Sequence, residues 1–257
     1  MNYMMNLIGF KTILKKEIIR ILRIWPQTLI PPIITTSLYF IIFGEILFKD
    51  RFIFVDGQEI SYSHYLIPGL VAMAIIINSY SSTSSSFFSI KFQKNIEELL
   101  VSPLPAWIII LGYTFGGLFR GLTNGLMIFI TSLCFEPTSI HSYLMCFSIA
   151  LLMSFFFSIA GIINAIFSKT FDDIMWFPSF ILTPMVYLGG VFFTIEMLPN
   201  FWQLVTKINP IYHFIDIFRH SLLGIGKFNY LSFVVIVIFN FILFITAIYF
   251  FNKKLQK

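Results

Sequence analysis

The chain has 257 residues, of which 58% are apolar and only 11% charged, with a mean hydropathy of +0.87 and a net charge of +5. A soluble domain carries roughly 25% charged residues, so a water-soluble globular protein is excluded and an integral membrane protein surrounded by lipid is expected. The basic excess does not point to nucleic acid, because the lysines and arginines cluster at the chain ends and in short loops beside apolar runs, the distribution that orients membrane proteins.

Residues 1–25 form a predicted N-terminal cytoplasmic helix at the membrane interface. The stretch 7–25 is too charged to span. On a helical projection Leu7, Leu14, Ile18, Ile21 and Trp25 share one face, and Lys15, Lys16, Arg20 and Arg23 fall largely opposite. Such a basic face suits anionic headgroups, and Pro26 ends the helix. Charges are scattered through these residues, with no compact apolar core or small-residue cleavage site, so no signal peptide is expected.

Residues 26–252 read as the membrane domain and 253–257 as a basic cytoplasmic tail. A bilayer core of about 30 Å needs about 20 apolar helical residues. Six runs meet or approach that length, at about 28–48, 66–90, 107–135, 143–167, 176–193 and 231–251. The expected fold is an all-α integral membrane protein with six transmembrane helices. The fifth run is short and holds Pro178, Pro184 and Gly189–Gly190, which predicts a kink or break near its end. The 37-residue connection 194–230 carries Phe201, Trp202, Tyr212, Phe214 and Phe218, aromatics that place it in or along the membrane.

Orientation follows from the basic residues. With the N-terminus inside, Lys11, Lys15, Lys16, Arg20, Arg23, Lys91, Lys94, Lys169, Lys253, Lys254 and Lys257 are cytoplasmic, and Lys49, Arg51, Lys207, Arg219 and Lys227 are external. Eleven against five favours both termini in the cytoplasm, consistent with an even number of spans.

Between the second and third runs lies the most charged cytoplasmic interruption, residues 91–105, KFQKNIEELLVSPLP. Phe92, Ile96, Leu99 and Leu100 recur at spacings of four and three, Lys91, Lys94, Glu97 and Glu98 fill much of the remainder, and Pro103 and Pro105 close the segment. This predicts one amphipathic helix. The pattern alone leaves two readings open: a surface helix offering a face to a soluble partner, or a polar loop joining two spans.

The third run carries Gly112, Gly116, Gly117, Gly121 and Gly125 in overlapping G-x-x-x-G patterns. They predict close packing against neighbouring helices or a second copy of the chain. The same run holds Arg120 near mid-membrane, where a charge costs at least about 2.5 kcal/mol and needs acceptors. Asn78 in the second run and Asn124 one turn further on are candidate acceptors, and both a structural lock and a substrate-contacting charge stay open. Ala74, Asn78, Ser82 and Ser86 repeat every fourth residue, as do Ala150, Ser154 and Ser158, with Gly161 three further on; such stripes suit close packing or a polar path. Cys134 and Cys146 flank the turn between the third and fourth runs and are expected as unpaired thiols.

No catalytic, cofactor or metal site stands out. Gly226–Lys227 is followed by Phe228 and has Ser221 where a phosphate loop needs its first glycine, so no P-loop is present. His213, Asp216 and His220 share a helical face, readable as a metal set or, more simply, as the wet side of an interfacial helix. The longest cytoplasmic connection has about 16 residues, too few to house an ATPase of the usual domain size. Transport driven by ATP would need a motor on another chain.

A resemblance rests on motifs spread over about residues 24–251. They are P-x-x-x-x-x-L-Y-F-x-I-F-G from Pro32, Y-L-I-P-G-L from Tyr65, I-E-E-L-L-V-S-P-L from Ile96, L-G-Y at Leu111 and R-G-L at Arg120. There follow A-G-I-I-N-A-I-F from Ala160, F-D-D-I from Phe171, L-T-P-M-V-Y-L-G-G-V-F from Leu182, L-P at Leu198, W-Q at Trp202, N-P-I at Asn209, and F-R at Phe218 with L-G after it. In this order the chain resembles the membrane (permease) subunits of type-2 ABC exporters, the bacterial YadH-like group in particular. The resemblance implies six spans, an N-terminal interfacial helix, a cytoplasmic coupling helix between spans two and three, and a partly re-entrant outer segment before span six. It also implies a pair of membrane subunits, expected as a homodimer, with two separate ABC ATPase subunits that use ATP; this chain would bind no cofactor directly. Residues Ile96, Glu97, Glu98, Leu99, Leu100, Ser102, Pro103 and Leu104 would form the ATPase contact. A position in the bacterial inner membrane and export of a substrate that the residues do not specify complete the expectation. His213 and His220 depart from the aromatic or small residues usual there. The alternative is a membrane scaffold or assembly subunit without a translocation path. An ion-coupled transporter is disfavoured by the absence of internal repeats and of mid-membrane acids, Glu45 lying close to the outer surface.

Overall fold

The computed structural model describes residues 2–48, 52–55, 58–226 and 228–255. Lys49, Arg51, Lys227 and Lys257 of the charge count lie outside the described residues. Helices dominate. They are α1 (Asn2–Arg23), α2 (Trp25–Tyr39), which runs on into a π-helical stretch Phe40–Leu47, α3 (Tyr62–Phe92), α4 (Ile96–Val101), α5 (Ala106–Ser132), α6 (Tyr143–Phe167), α7 (Phe171–Phe177), α8 (Thr183–Tyr187), α9 (Asn200–Ile208), α10 (Pro210–Leu223) and α11 (Tyr230–Leu255).

Among the described residues, five helices are long and apolar enough to cross a membrane: Trp25–Leu47, Tyr62–Phe92, Ala106–Ser132, Tyr143–Phe167 and Tyr230–Leu255. They match the first, second, third, fourth and sixth apolar runs. The fifth run is helical without a gap up to Tyr187, with one π-helical turn inside it, and stops before the turn at Gly189–Gly190. Pro178 ends α7, a π-helical turn Pro178–Leu182 follows, and α8 stops at Tyr187. Thr183 Oγ1 donates to the Pro178 carbonyl at 2.8 Å, supplying a partner at the π-helical turn. The 17 residues of 171–187 reach about 25 Å as helix, short of a bilayer core of about 30 Å. Beyond this segment, α10 buries Ile211, Phe214, Ile215, Ile217, Phe218 and Leu222 against the core.

An antiparallel hairpin joins α2 to α3, β1 (Phe52–Val55) pairing with β2 (Gln58–Ser61) in the register Ile53 with Ile60. The all-α expectation did not include it. Aromatic and β-branched residues at 52–55, followed by Asp56–Gly57, are its sequence signal; residues 56 and 57 lie outside the described residues.

Small residues let α3, α5 and α6 pack most closely of all. A Cβ on Gly117 would collide with Ser158 of α6 and Thr83 of α3, and one on Gly121 with Ser79 and Ser154. Hydroxyls close the same seam: Ser79 Oγ lies 2.7 Å from Ser154 Oγ, and Thr83 Oγ1 donates to the Ser158 carbonyl at 2.8 Å. Gly125 is filled by Ile75. The glycines of α5 thus pack within the chain, and no second copy is needed to occupy them.

The other glycine face of α5 receives α1. A Cβ on Gly112 would meet Ile13 at 2.6 Å, and one on Gly116 would meet Glu17 Cβ at 2.6 Å. The buried residues of α1 are therefore Ile13, Glu17 and Ile21, while Leu7 and Trp25, expected on the apolar face, are exposed. The correction has a steric cause: the groove over Gly112 and Gly116 selects which face of α1 can approach. Both α1, through Gly9 against Leu104, and the last turns of α11, through Phe251 against Phe87, lie at the α4 end of the bundle.

Replacing Gly121 by Val should lower the melting temperature in detergent by several degrees, since overpacking costs about 1–3 kcal/mol. An unchanged melting temperature with a dissociated oligomer would instead make this stripe a seam between copies.

Candidate functional site

The segment 91–105 is not one helix. At its start α3 ends at Phe92, residues 93–95 turn, with Lys94 at φ +61°, and α4 occupies only Ile96–Val101. The left-handed residue breaks the helical stripe at the place where Phe92 and Ile96 were expected to align. Ile96 is buried, and Leu99, Leu100 and Leu104 pack on the same apolar cluster as Ile90, Ala106 and Ile110. Glu97, Glu98, Val101 and Pro103 face outward, Val101 being 87% exposed. Ser102 Oγ donates to the Leu99 carbonyl at 2.6 Å and closes the helix. An exposed valine beside two carboxylates is a compact face, apolar at its centre and negative at its edge.

Lys91 does not belong to that face. Its Nζ donates to the carbonyls of Ile166 and Ser168 at 2.6 Å each and to Ala165 at 3.2 Å, so the cation caps the C-terminus of α6. The first turn of α7 is fastened nearby by a capping box, Thr170 Oγ1 accepting from Asp173 N and the Asp173 carboxylate accepting from Thr170 N. Phe171 packs on Phe88 and Phe92 with ring centroids 4.9 and 4.8 Å apart. The F-D-D-I motif thereby joins the end of α3 to the start of the helical segment 171–187.

Deeper in the bundle, the stripe Ala74, Asn78, Ser82, Ser86 faces α1 and α5. Ser86 Oγ donates to Glu17 Oε1 at 2.7 Å; Arg20 reaches Glu17 Oε2 at 2.9 Å and the Ser82 carbonyl at 3.2 Å. Sequence reasoning missed Glu17, which is 1% exposed. Its signal was that it is the only carboxylate before Glu45, set among five basic residues. Arg120 is placed differently from expectation. Asn78 Nδ2 donates to the Ala74 carbonyl and Asn124 Nδ2 to the Arg120 carbonyl, so both amides bond back along their own helices. Neither accepts from the guanidinium; Arg120 Nε and Asn124 Oδ1 are buried without partners among the described residues.

At the opposite end, Arg219 is the organising charge. It is 6% exposed, stacks 4.0 Å from the Tyr65 ring centroid, and donates to the Gly190 carbonyl at 2.7 Å. Tyr65 OH donates to Phe193 O at 2.8 Å, and Tyr62 OH to Phe192 O at 2.8 Å. Gly190, at φ +82°, makes the turn that these bonds hold. A polar cavity of about 480 Å³ lies beside them, lined by Tyr65, Glu196, Tyr212, Asp216, Arg219 and His220 among others. An apolar cavity of about 460 Å³ opens between α3, α5, α6 and α10, lined by Val71, Ile75, Leu126, Phe129, Phe147 and Leu222 among others. His213 is engaged by the Lys207 carbonyl and Ser232, and His220 by the Gly226 carbonyl at 3.0 Å. Among the described residues no group of three His, Cys, Asp or Glu is arranged to hold a metal. Cys134 and Cys146 are free thiols.

The chain matches the ABC-2 type transporter family over residues 8–223. It is 47% identical over 219 residues to the inner membrane transport permease YadH of Escherichia coli (strain K12), covering 85% of this chain and 84% of that protein. It is also 26% identical over 171 residues to nodulation protein J of Rhizobium meliloti (strain 1021), covering 66% of this chain and 64% of the relative, and 25% identical over 166 residues to nodulation protein J of Neorhizobium galegae, covering 64% and 63%. With apolar helices of spanning length and this family match over most of its length, the chain belongs to the ABC-2 type transporter family, as a multi-pass inner-membrane transport permease that is not itself an enzyme and that works with an ABC ATPase on a separate chain.

Proposed function

We propose that this permease moves its substrate outward across the bacterial cytoplasmic membrane as a homodimer served by two ATPase subunits. The observation that carries the reading is the α4 face: Ile96, Leu99, Leu100 and Leu104 seat the short helix, while Glu97, Glu98 and Val101 are left outward. A partner with an apolar socket rimmed by basic groups fits such a face. ATP binding by the partner pair displaces α4, and the rigid α3 and α5 on either side carry that displacement into the membrane. ATP binds the partner, and no nucleotide or other cofactor binds this chain. The α4 end is cytoplasmic, with both termini there, and the short helical segment 171–187 supplies a sixth crossing, followed by the re-entrant α9–α10 on the outer side. Charge placement supports this orientation: Lys94 directly precedes α4, Lys169 directly precedes the capping residue of α7, and Lys11 is two residues from Gly9, which meets Leu104.

Arg120 takes a place in the pathway under this reading. A mid-membrane guanidinium whose Nε has no partner among the described residues is poorly suited to locking helices, and suits a role facing water or a passing polar group.

A tagged copy should bring down an ABC ATPase, and Glu97→Lys with Glu98→Lys should weaken that capture at least tenfold, about 1.4 kcal/mol or more, because like charges then face each other. Capture of no ATPase by the unaltered chain would favour a scaffold role instead. For Arg120, substitution by Met should leave the melting temperature in detergent unchanged or raised, since an uncompensated buried charge is removed; a fall of several degrees would make it a structural lock.

A further inference from the structure

We infer that Glu17 is a positioning residue, a buried carboxylate clamp that makes α1, the turn after α4 and the adjoining half of α3 move as one body. The inference rests on α4 being the ATPase contact. It names the route by which displacement of α4 reaches the interior.

Helix α1 lies along α5, and two of its contacts tie it to other parts of the chain. Near its start, Gly9 lies against Leu104, directly after α4, where a Cβ would collide with the leucine side chain. Eight residues on, about 12 Å along the helix, Glu17 is enclosed between α3 and α5. One carboxylate oxygen accepts from Ser86 Oγ at 2.7 Å, and the other accepts from Arg20 Nη2 at 2.9 Å and Nε at 3.2 Å. Arg20 Nη2 continues to the Ser82 carbonyl at 3.2 Å and Ser82 Oγ at 3.3 Å. Between these points the interface is apolar, Phe10 edge-on to Phe115 with ring centroids 5.5 Å apart, Ile13 over Gly112 and the Glu17 stem over Gly116. A smooth glycine groove resists separation of the helices but not sliding along it. The Glu17–Arg20 pair lies within α1 itself. What fixes one register are the two links it presents to α3, Ser86 Oγ donating to Glu17 and Arg20 donating to the Ser82 carbonyl, since directional polar contacts specify register where apolar packing alone does not. Ser82 lies ten residues from the end of α3, about 15 Å in from the α4 end, so a push on Leu104 transmitted by a clamped α1 arrives well inside the bundle.

The test uses the permease co-purified with its ATPase, with Cys134 and Cys146 changed to serine. Spin labels go on Lys16→Cys and Ser85→Cys, both exposed positions. Pulsed electron resonance measures their separation before and after trapping with ATP and vanadate. The unaltered clamp should give one narrow distance that changes by less than about 2 Å on trapping, the scale of ordinary helix shifts. Glu17→Ala should broaden or split it in both states. Glu17→Gln keeps the acceptor for Ser86 but lacks the charge facing Arg20, and should fall between the two; it carries the comparison alone if the alanine variant does not fold. A Glu17→Gln protein whose distances match the unaltered protein in both states, or a wild-type separation that shifts by more than about 2 Å on trapping, overturns the clamp. If no ATPase accompanies the chain, the exporter reading fails by itself, while the untrapped comparison still decides whether Glu17 holds α1 in register.

Discussion

Lipid chains are as apolar as leucine, so helices within a bilayer gain little by hiding hydrophobic surface from their surroundings. What holds α3, α5 and α6 together is close approach, and close approach depends on Gly117 and Gly121 meeting Ser79, Thr83, Ser154 and Ser158 with no side chain between the backbones. The rest of the molecule is arranged around that three-helix seam. One edge of α5 is left grooved by Gly112 and Gly116 for α1, and the halves of α3 and α6 away from α4 receive α10 and the turn at Gly189–Gly190. Helix α11 closes the bundle from the far side of α6 while keeping Phe241, Ile242 and Ile245 exposed, a surface suited to lipid.

Polar groups inside this bundle fall into two kinds. Most bond back to their own helix, as Asn78 does to Ala74, Thr114 to Ile110 and Asn240 to Ile236, which satisfies them without tying helices together. Others cross between elements: Ser79 and Thr83 to α6 in the seam, and, outside it, Glu17 and Arg20 to α3, Lys91 to the carbonyls of α6, and Arg219 with Tyr65 at the end opposite α4. The cross-links outside the seam fasten pieces that regular helix packing alone would leave free, namely a helix in a smooth groove, the end of α6, and the loop after the short segment 171–187. Arg120 belongs to neither kind.

The amphipathic segment and the fifth run show how far sequence pattern reaches. Hydropathy located all five long helices found among the described residues, because a spanning helix must be apolar over most of its length; in the fifth run Pro178 and Pro184 sit at and just after a π-helical turn inside a helix that ends at Tyr187. The hairpin at 52–61 was equally local but is shorter than the periods that separate spans. In contrast, the reading of 91–105 as one helix failed at Lys94. A left-handed residue there reflects how α3 must end on α6 and α7, and lysine carries no marker for that conformation. The apolar face of α1 was misassigned for a related reason: its true contact face includes Gly9 and Glu17, which a hydrophobicity stripe discards.

From composition, run lengths and basic-residue placement the sequence alone determined a multi-pass membrane protein, the order of its long helices and the close-packing role of the glycines in α5, because each follows from the bilayer's thickness and dielectric acting on local residues. Its motifs, in order, pointed to the family. The tertiary structure alone decided which chain segment fills each glycine groove, that Lys91 caps α6 instead of facing outward, that Glu97, Glu98 and Val101 form the outward face of α4, and that Glu17 is enclosed while Arg120 Nε is left without a partner. Those outcomes depend on distances between residues tens of positions apart, and a one-dimensional pattern holds no record of which neighbour a buried polar group will meet.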